Sequence, residues 1–229
     1  MANQKIQVLS DCFNQGAVNT ALWGPATGVD GTAYSIGTIA TGTSTQTLTL
    51  TLGPSGSAAS ASLNAATQTP VAECLNSGLT SLAAYDLTNS GTSVRLASVY
   101  EGDTGIQAWF ALSNGNGTSA DWLGWQVYDL GGGLFVIAAK YGNPTFNWPN
   151  PSSPSQAQYI PAKYQYLRIV ENSGTVYWDY SADGVNWTNF TSMATPFDVT
   201  GMYASVYGTT TSGSTPVQWA NVNYSLSAS

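Results

Sequence analysis

Apolar and polar residues alternate along most of this chain, and where the alternation breaks the residues are turn formers. At 45–52 the sequence TQTLTLTL places Leu48, Leu50 and Leu52 on one face and Thr47, Thr49 and Thr51 on the other, the period-two signature of a half-exposed strand. Similar stretches at 93–100, 105–113, 122–130 and 134–141 predict four more strands. They are separated by Glu101-Gly102-Asp103, Asn114-Gly115-Asn116-Gly117 and Gly131-Gly132-Gly133, each of which is turn chemistry. Further strands are predicted at 199–207 and 217–226. The pattern as a whole is that of an all-β antiparallel β-sandwich.

Two segments depart from the pattern. At 53–66 the sequence GPSGSAASASLNAA approaches low complexity and reads as a long loop or insertion rather than a domain boundary. At 142–161 five prolines, Pro144, Pro149, Pro151, Pro154 and Pro161, predict a long irregular excursion, and loops of that length tend to carry function or an interface. With both treated as loops, residues 1–229 form a single domain, a size that can bury a substantial core.

Residues 166 to 187, YLRIVENSGTVYWDYSADGVNW, give the clearest local prediction: strand, turn at Ser173-Gly174, strand, turn at Ser181-Ala182-Asp183-Gly184, and a third strand entered at Val185, Asn186 and Trp187. A two-residue loop pairs Asn172 with Thr175 and sets Arg168 opposite Asp179. A three-residue loop with a glycine bulge would instead set Arg168 opposite Trp178, a cation over an aromatic face. Asp183 and Trp187 read as turn devices, the aspartate bonding backbone amides and the tryptophan anchoring the hairpin. Structural roles are preferred for all four of these residues.

The Leu167-Arg168-Ile169 group, Val176-Tyr177-Trp178-Asp179, the S-x-D-G-x-x-W run and Thr195-Pro196-Phe197-Asp198-Val199 resemble the C-terminal part of concanavalin A-like (laminin G-like) jelly-roll domains. The opening SDCFNQGAVNTALW, Ser10 to Trp23, is similar to the start of these domains, with Cys12 and Val18-Asn19 as departures. Tyr85-Asp86-Leu87 followed by Ser93-Val94-Arg95-Leu96 adds a third match. The resemblance implies a concanavalin A-like jelly roll. It also implies one of two settings: accessory modules of secreted glycosidases, or minor tail proteins of phages infecting actinobacteria.

Composition narrows the partners. Charged residues make up only 7% of the chain, with 8 Trp and 13 Tyr among abundant small polar residues, which suits strands and turns better than helices. Five basic against twelve acidic residues give a net charge of −7, so a phosphate backbone or an anionic membrane would be repelled, and nucleic acid is not an expected partner. No apolar run is long enough to span a bilayer, and the N-terminus lacks the apolar segment of a secretory signal. Without histidine or a C-x-x-C spacing, neither a metal nor any other cofactor is expected. Cys12 and Cys74 could bridge, with buried free thiols as the default.

Candidate chemistry follows from the carboxylates and the aromatics. A glycosidase needs paired carboxylates, and on a strand these stand at spacing two, yet Glu-x-Asp-x-x-Glu is absent; Glu101 and Asp103 have the spacing but sit in a turn. No enzymatic activity is therefore expected. Trp109, Trp122, Trp125, Tyr128 and Tyr141 fall on the middle strands, which the resemblance places on the concave face. Alternation sends Trp125 to the core with Leu123 and Val127, and turns Trp122 and Tyr128 outward with Gly124 and Gln126. Trp109, Trp122, Gln126, Tyr128 and, from the proline-rich loop, Trp148 are the candidate glycan contacts, since a flat ring stacks on a sugar while amides bond its hydroxyls. The expected function is a non-enzymatic virion protein, a phage minor tail or fibre-tip component assembled with other virion proteins into a closed oligomer and touching host-surface glycans. The alternative is a carbohydrate-binding accessory domain of a secreted glycosidase.

Overall fold

The computed structural model describes residues 2–11, 19–25, 39–42, 47–51, 75–99, 107–115, 120–130, 134–142, 156–209 and 216–220. Fourteen strands are present among them: β1 (Trp23–Pro25), β2 (Ile39–Gly42), β3 (Thr47–Thr51), β4 (Leu75–Ser81), β5 (Ser90–Val99), β6 (Gln107–Ser113) and β7 (Trp122–Asp129), then β8 (Phe135–Gly142), β9 (Gln156–Gln158), β10 (Tyr166–Asn172), β11 (Thr175–Ser181), β12 (Thr188–Ala194), β13 (Tyr203–Thr209) and β14 (Pro216–Ala220). Helical structure among the described residues is one short 3₁₀ turn, Ile6–Val8, far from the length a membrane crossing needs.

All strand ladders are antiparallel and build two seven-stranded sheets, one in the order β1-β4-β13-β6-β7-β8-β9 and the other β12-β11-β10-β5-β14-β3-β2. This is the predicted antiparallel β-sandwich of jelly-roll type. Period-two alternation sorts the middle strands: Ala108, Phe110 and Leu112 of β6, Leu123, Trp125 and Val127 of β7, and Ile137 and Ala139 of β8 point inward. They meet Val94 and Leu96 of β5, Leu167 and Ile169 of β10, and Val176 and Trp178 of β11 from the second sheet. Burial of these side chains stabilises the fold by roughly 1.5–3 kcal/mol for each large apolar residue.

Two tryptophans cross-link the sheets in opposite directions. The Trp125 indole Nε1 on β7 donates to the carbonyl of Arg168 on β10 at 3.0 Å, and the Trp178 Nε1 on β11 donates to the carbonyl of Gly124 on β7 at 2.9 Å. Each buried indole N–H thus finds a partner in the opposing sheet, which removes the cost of burying it bare.

The 166–187 region takes the two-residue loop. Asn172 pairs with Thr175 and Arg168 with Asp179, while Ser173 and Gly174 both have positive φ, as the twist of a tight hairpin demands. The Arg168 guanidinium bonds the Asp179 carboxylate at 2.7 Å, and its aromatic partner is Trp187, 4.2 Å away, rather than Trp178. The third strand starts later than predicted, at Thr188. Asp183 Oδ1 accepts the backbone N–H groups of Val185 and Asn186, each at 2.8 Å, and so holds both residues in the turn. Those amides, with the Asn186 side chain and the Ser181 hydroxyl, keep the Asp183 carboxyl far below the usual carboxylate range. Near the N-terminus the Trp23 indole donates to buried Asp11 at 2.8 Å, joining the two ends of the opening motif.

Other boundaries also differ from expectation. The 142–161 excursion contains a strand, β9, paired to β8. β13 begins at Tyr203, and β1, β2 and β4 were not signalled by alternation. The loop expected at 53–66, Cys12, Cys74, Glu101, Asp103 and Trp148 lie outside the described residues.

Candidate glycan-binding face

Strands β6, β7 and β8 turn their other side chains away from the core, and cross-strand register arranges these in rows. Ser205 of β13, Ala111, Gly124 and Lys140 form one row; Trp109, Gln126, Ala138 and Gln156 the next; and Gln107, Tyr128, Val136 and Gln158 the third. Neighbouring rows lie about 7 Å apart along the strands, two residues of rise. Small side chains at Ala111, Gly124 and Ala138 keep the middle of the face low, and amide and aromatic groups stand along one side of it.

Gln107 organises that side. Its Oε1 accepts the Trp109 indole N–H at 3.1 Å and the Gln126 amide at 2.9 Å, so one carbonyl fixes two of the residues singled out from the sequence. The Tyr128 hydroxyl lies 3.3 Å from Gln156 Oε1, and the Lys140 ammonium stands 5.7 Å from the centre of the Tyr128 ring. Burial pushes the Tyr128 hydroxyl above its ordinary range and pushes Lys140 down to about 8, because a partly dry environment penalises the charged form of each.

The predicted residues divide into two kinds. Tyr128 is half-buried with its hydroxyl on the face, and Gln126, though only 7% exposed, is held in the Gln107 network. Trp109 and Trp122 are not the open platform expected for them. At 2% and 8% exposed they pack edge to face, with centroids 5.9 Å apart, and the Trp122 indole fills the space left by Gly142, where a β-carbon would lie 2.0 Å from Nε1. Their role in the described structure is to support the face rather than to cover it with an open ring. Gln107, Gln156 and Lys140 are the residues that sequence reasoning missed. Gln107 and Lys140 share the outward parity of strands already predicted, whereas Gln156 becomes visible only once β9 is known.

Described outward positions of β6, β7 and β8 hold no carboxylate, and no group of three His, Cys, Asp or Glu converges among the described residues.

No family model and no curated protein sequence matches this chain. Solved structures do. A β-glucanase of Bacillus licheniformis is similar over 95% of this chain and 98% of its own, with a TM-score of 0.54 and 15% identity. A β-1,3-1,4-glucanase (lichenase) from a mouse hindgut metagenome covers 93% of this chain and 96% of its own at TM-score 0.59 and 11% identity. Rv0315 of Mycobacterium tuberculosis, described as an immunostimulatory antigen and pseudo β-1,3-glucanase, covers 94% and 95% at TM-score 0.54 and 12% identity. These likenesses overturn the expectation of a non-enzymatic phage tail or fibre-tip protein, because the chain is similar along its length to proteins named as glucan hydrolases. At such identities what they show is the fold: the chain is a jelly-roll β-sandwich of the kind these glucanases share.

Proposed function

We propose that this chain is the glycan-recognising domain of a secreted glycosidase and that it takes a β-glucan chain across the outward face of β6, β7 and β8. The observation that carries the reading is the row of fixed amides and phenol on that face: Gln107 holding Gln126 and Trp109, and Tyr128 reaching Gln156. Such groups offer donors and acceptors to sugar hydroxyls with little side-chain entropy left to lose, and the Tyr128 ring edges a floor of small residues that lets a chain of pyranoses lie close. The end-to-end likeness to glucanases supports the choice of β-glucan as the ligand class.

Affinity electrophoresis through gels containing mixed-linkage β-glucan tests the reading, with reducing-end release measured in the same incubation. Retardation of the wild type is expected, weakened about tenfold or more by Tyr128→Ala, the loss of roughly 1.4 kcal/mol of contact. Migration of the wild type unaffected by the glucan, or retardation of Tyr128→Ala and Gln156→Ala equal to that of the wild type, would refute it. Release of reducing ends identifies a hydrolase, and retardation without release an accessory domain.

A further inference from the structure

The outward face of β7, β8 and β9 does not end at its third row. Tyr128 pairs with Val136 and Val136 with Gln158, so the next outward positions along the same strands are Leu130, Leu134 and Ile160. Backbone bonds carry the ladder that far: the Leu130 N–H donates to the Leu134 carbonyl at 2.9 Å, and the Tyr159 N–H to the Phe135 carbonyl at 2.8 Å. Phe135 and Tyr159 belong to the core, so Leu134 and Ile160 beside them point away from it, with Leu130 opposite Leu134.

All three side chains are large, apolar and open to solvent: Leu130 is 59% exposed, Leu134 44% and Ile160 48%. Leu130 and Leu134 are joined through Gly131, Gly132 and Gly133, which bring no side chain to cover them. The other large apolar side chains left exposed among the described residues, Val8, Leu82 and Val185, stand one apiece in separate stretches of chain. Single exposed apolar residues are ordinary, whereas a contiguous row across adjacent strands points to a contact. Its size and setting select the occupant. A stable protein partner, a second copy included, needs about 20–30 residues a side, far more than this row offers. A net charge of −7 also opposes self-association. One row back, about 7 Å away, stand the half-buried Tyr128 and the exposed Gln158, both polar. A ligand lying across both rows must therefore change from hydroxyl-bearing to apolar over that distance.

We propose that this row is a subsite for a hydrocarbon substituent of a glycan, such as an alkyl aglycone, with the sugar that bears it lying at Tyr128. The inference rests on the glycan reading of this face and extends it from the sugar chain to an apolar group carried by that chain. Methylenes buried against Leu130, Leu134 and Ile160 supply affinity that a hydroxyl-covered chain cannot draw from them, up to about fourfold for each methylene fully removed from water.

The test is an NMR titration of the ¹⁵N-labelled protein with methyl β-D-glucoside, hexyl β-D-glucoside and 1-hexanol, beside wild-type retardation in β-glucan gels. Hexyl glucoside is expected to bind about tenfold or more tightly than either methyl glucoside or hexanol, and to move the amide signals of Leu130, Leu134 and Ile160 in a saturable way. Leu134→Ser and Ile160→Ser, made at side chains already open to solvent, should keep the wild-type Tm and cut the preference for the hexyl group to about threefold or less. Tyr128→Ala should weaken both glucosides. Equal affinity for the two glucosides, no binding of either, hexanol bound as tightly as hexyl glucoside, or an undiminished hexyl preference in both serine variants would overturn the proposal. Where β-glucan still retards the wild type, such a result removes this subsite alone; where it does not, the glycan reading falls as well.

Discussion

Glu171 offers the sharpest test of how the hairpin is held. It is a carboxylate 3% exposed that forms no ion pair among the described residues; Oε2 accepts the Asn89 N–H at 2.6 Å, and Oε1 accepts the Gly174 N–H at 2.6 Å and the Thr195 hydroxyl at 3.3 Å. Three chain reversals, before β5, between β10 and β11, and after β12, therefore converge on one side chain. Asn89 itself has a positive φ and accepts the Ser173 N–H, so the left-handed turn at β5 is tied to the hairpin from both ends. Glu171→Gln preserves shape and replaces one oxygen by an NH₂ group, which then faces an N–H it cannot accept. One bond to a charged acceptor is lost, about 1.5–3 kcal/mol, and the surviving bonds fall to neutral strength, about 1 kcal/mol more. For a chain of this length each kcal/mol shifts the midpoint by roughly 2–4 °C, so the expected drop in Tm is about 6–15 °C by circular dichroism. A Tm within about 2 °C of wild type would show that the carboxylate does not carry these turns, and the reasoning would fail.

Two further outcomes follow from the glycan face. Gly142→Ala puts a β-carbon 2.0 Å from the Trp122 indole nitrogen, so the ring must leave its place against Trp109; a loss of about 1–3 kcal/mol, an altered near-ultraviolet tryptophan spectrum and weaker β-glucan retardation are expected, and an unchanged spectrum would refute the packing. Lys140 is pushed down to about 8 by burial, so between about pH 8 and pH 10.5 the unfolded chain binds the proton that the folded chain has released. Stability of the wild type relative to Lys140→Met should therefore rise as pH increases through that window, by ~1–2 kcal/mol once partial exposure is discounted, and stay level below it; parallel urea midpoints at all pH values would contradict this.

Much of the sandwich was legible because its middle strands obey a period of two. The parity that sent Trp125 inward and Tyr128 outward came from the sequence of β7 alone, and the strong turn at Ser173-Gly174 brought Arg168 and Asp179 into register. What escaped depended on neighbours far along the chain. β9 is three residues of Gln-Ala-Gln with no strand signal of its own, and exists because β8 offers it an edge. Trp122 looked exposed because parity gives direction and not cover; the missing side chain at Gly142 lets the indole lie down. The third hairpin strand slipped to Thr188 because one aspartate outbids the ladder for two amides. The virion expectation rested on a resemblance shared by two settings, on low charge, on long loops and on a missing signal segment, none of which is chemistry of a site, and the end-to-end likeness is to a glucanase.

The reciprocal indole bonds of Trp125 and Trp178 have a mechanical meaning. Both bonds meet β7 at adjacent residues, Gly124 and Trp125, and reach two neighbouring strands of the other sheet, so a slide of one sheet over the other must strain two buried bonds at one place. A load applied to β7 is therefore passed to the far sheet at that point, and the sandwich takes it up as one plank rather than as two loosely stacked boards.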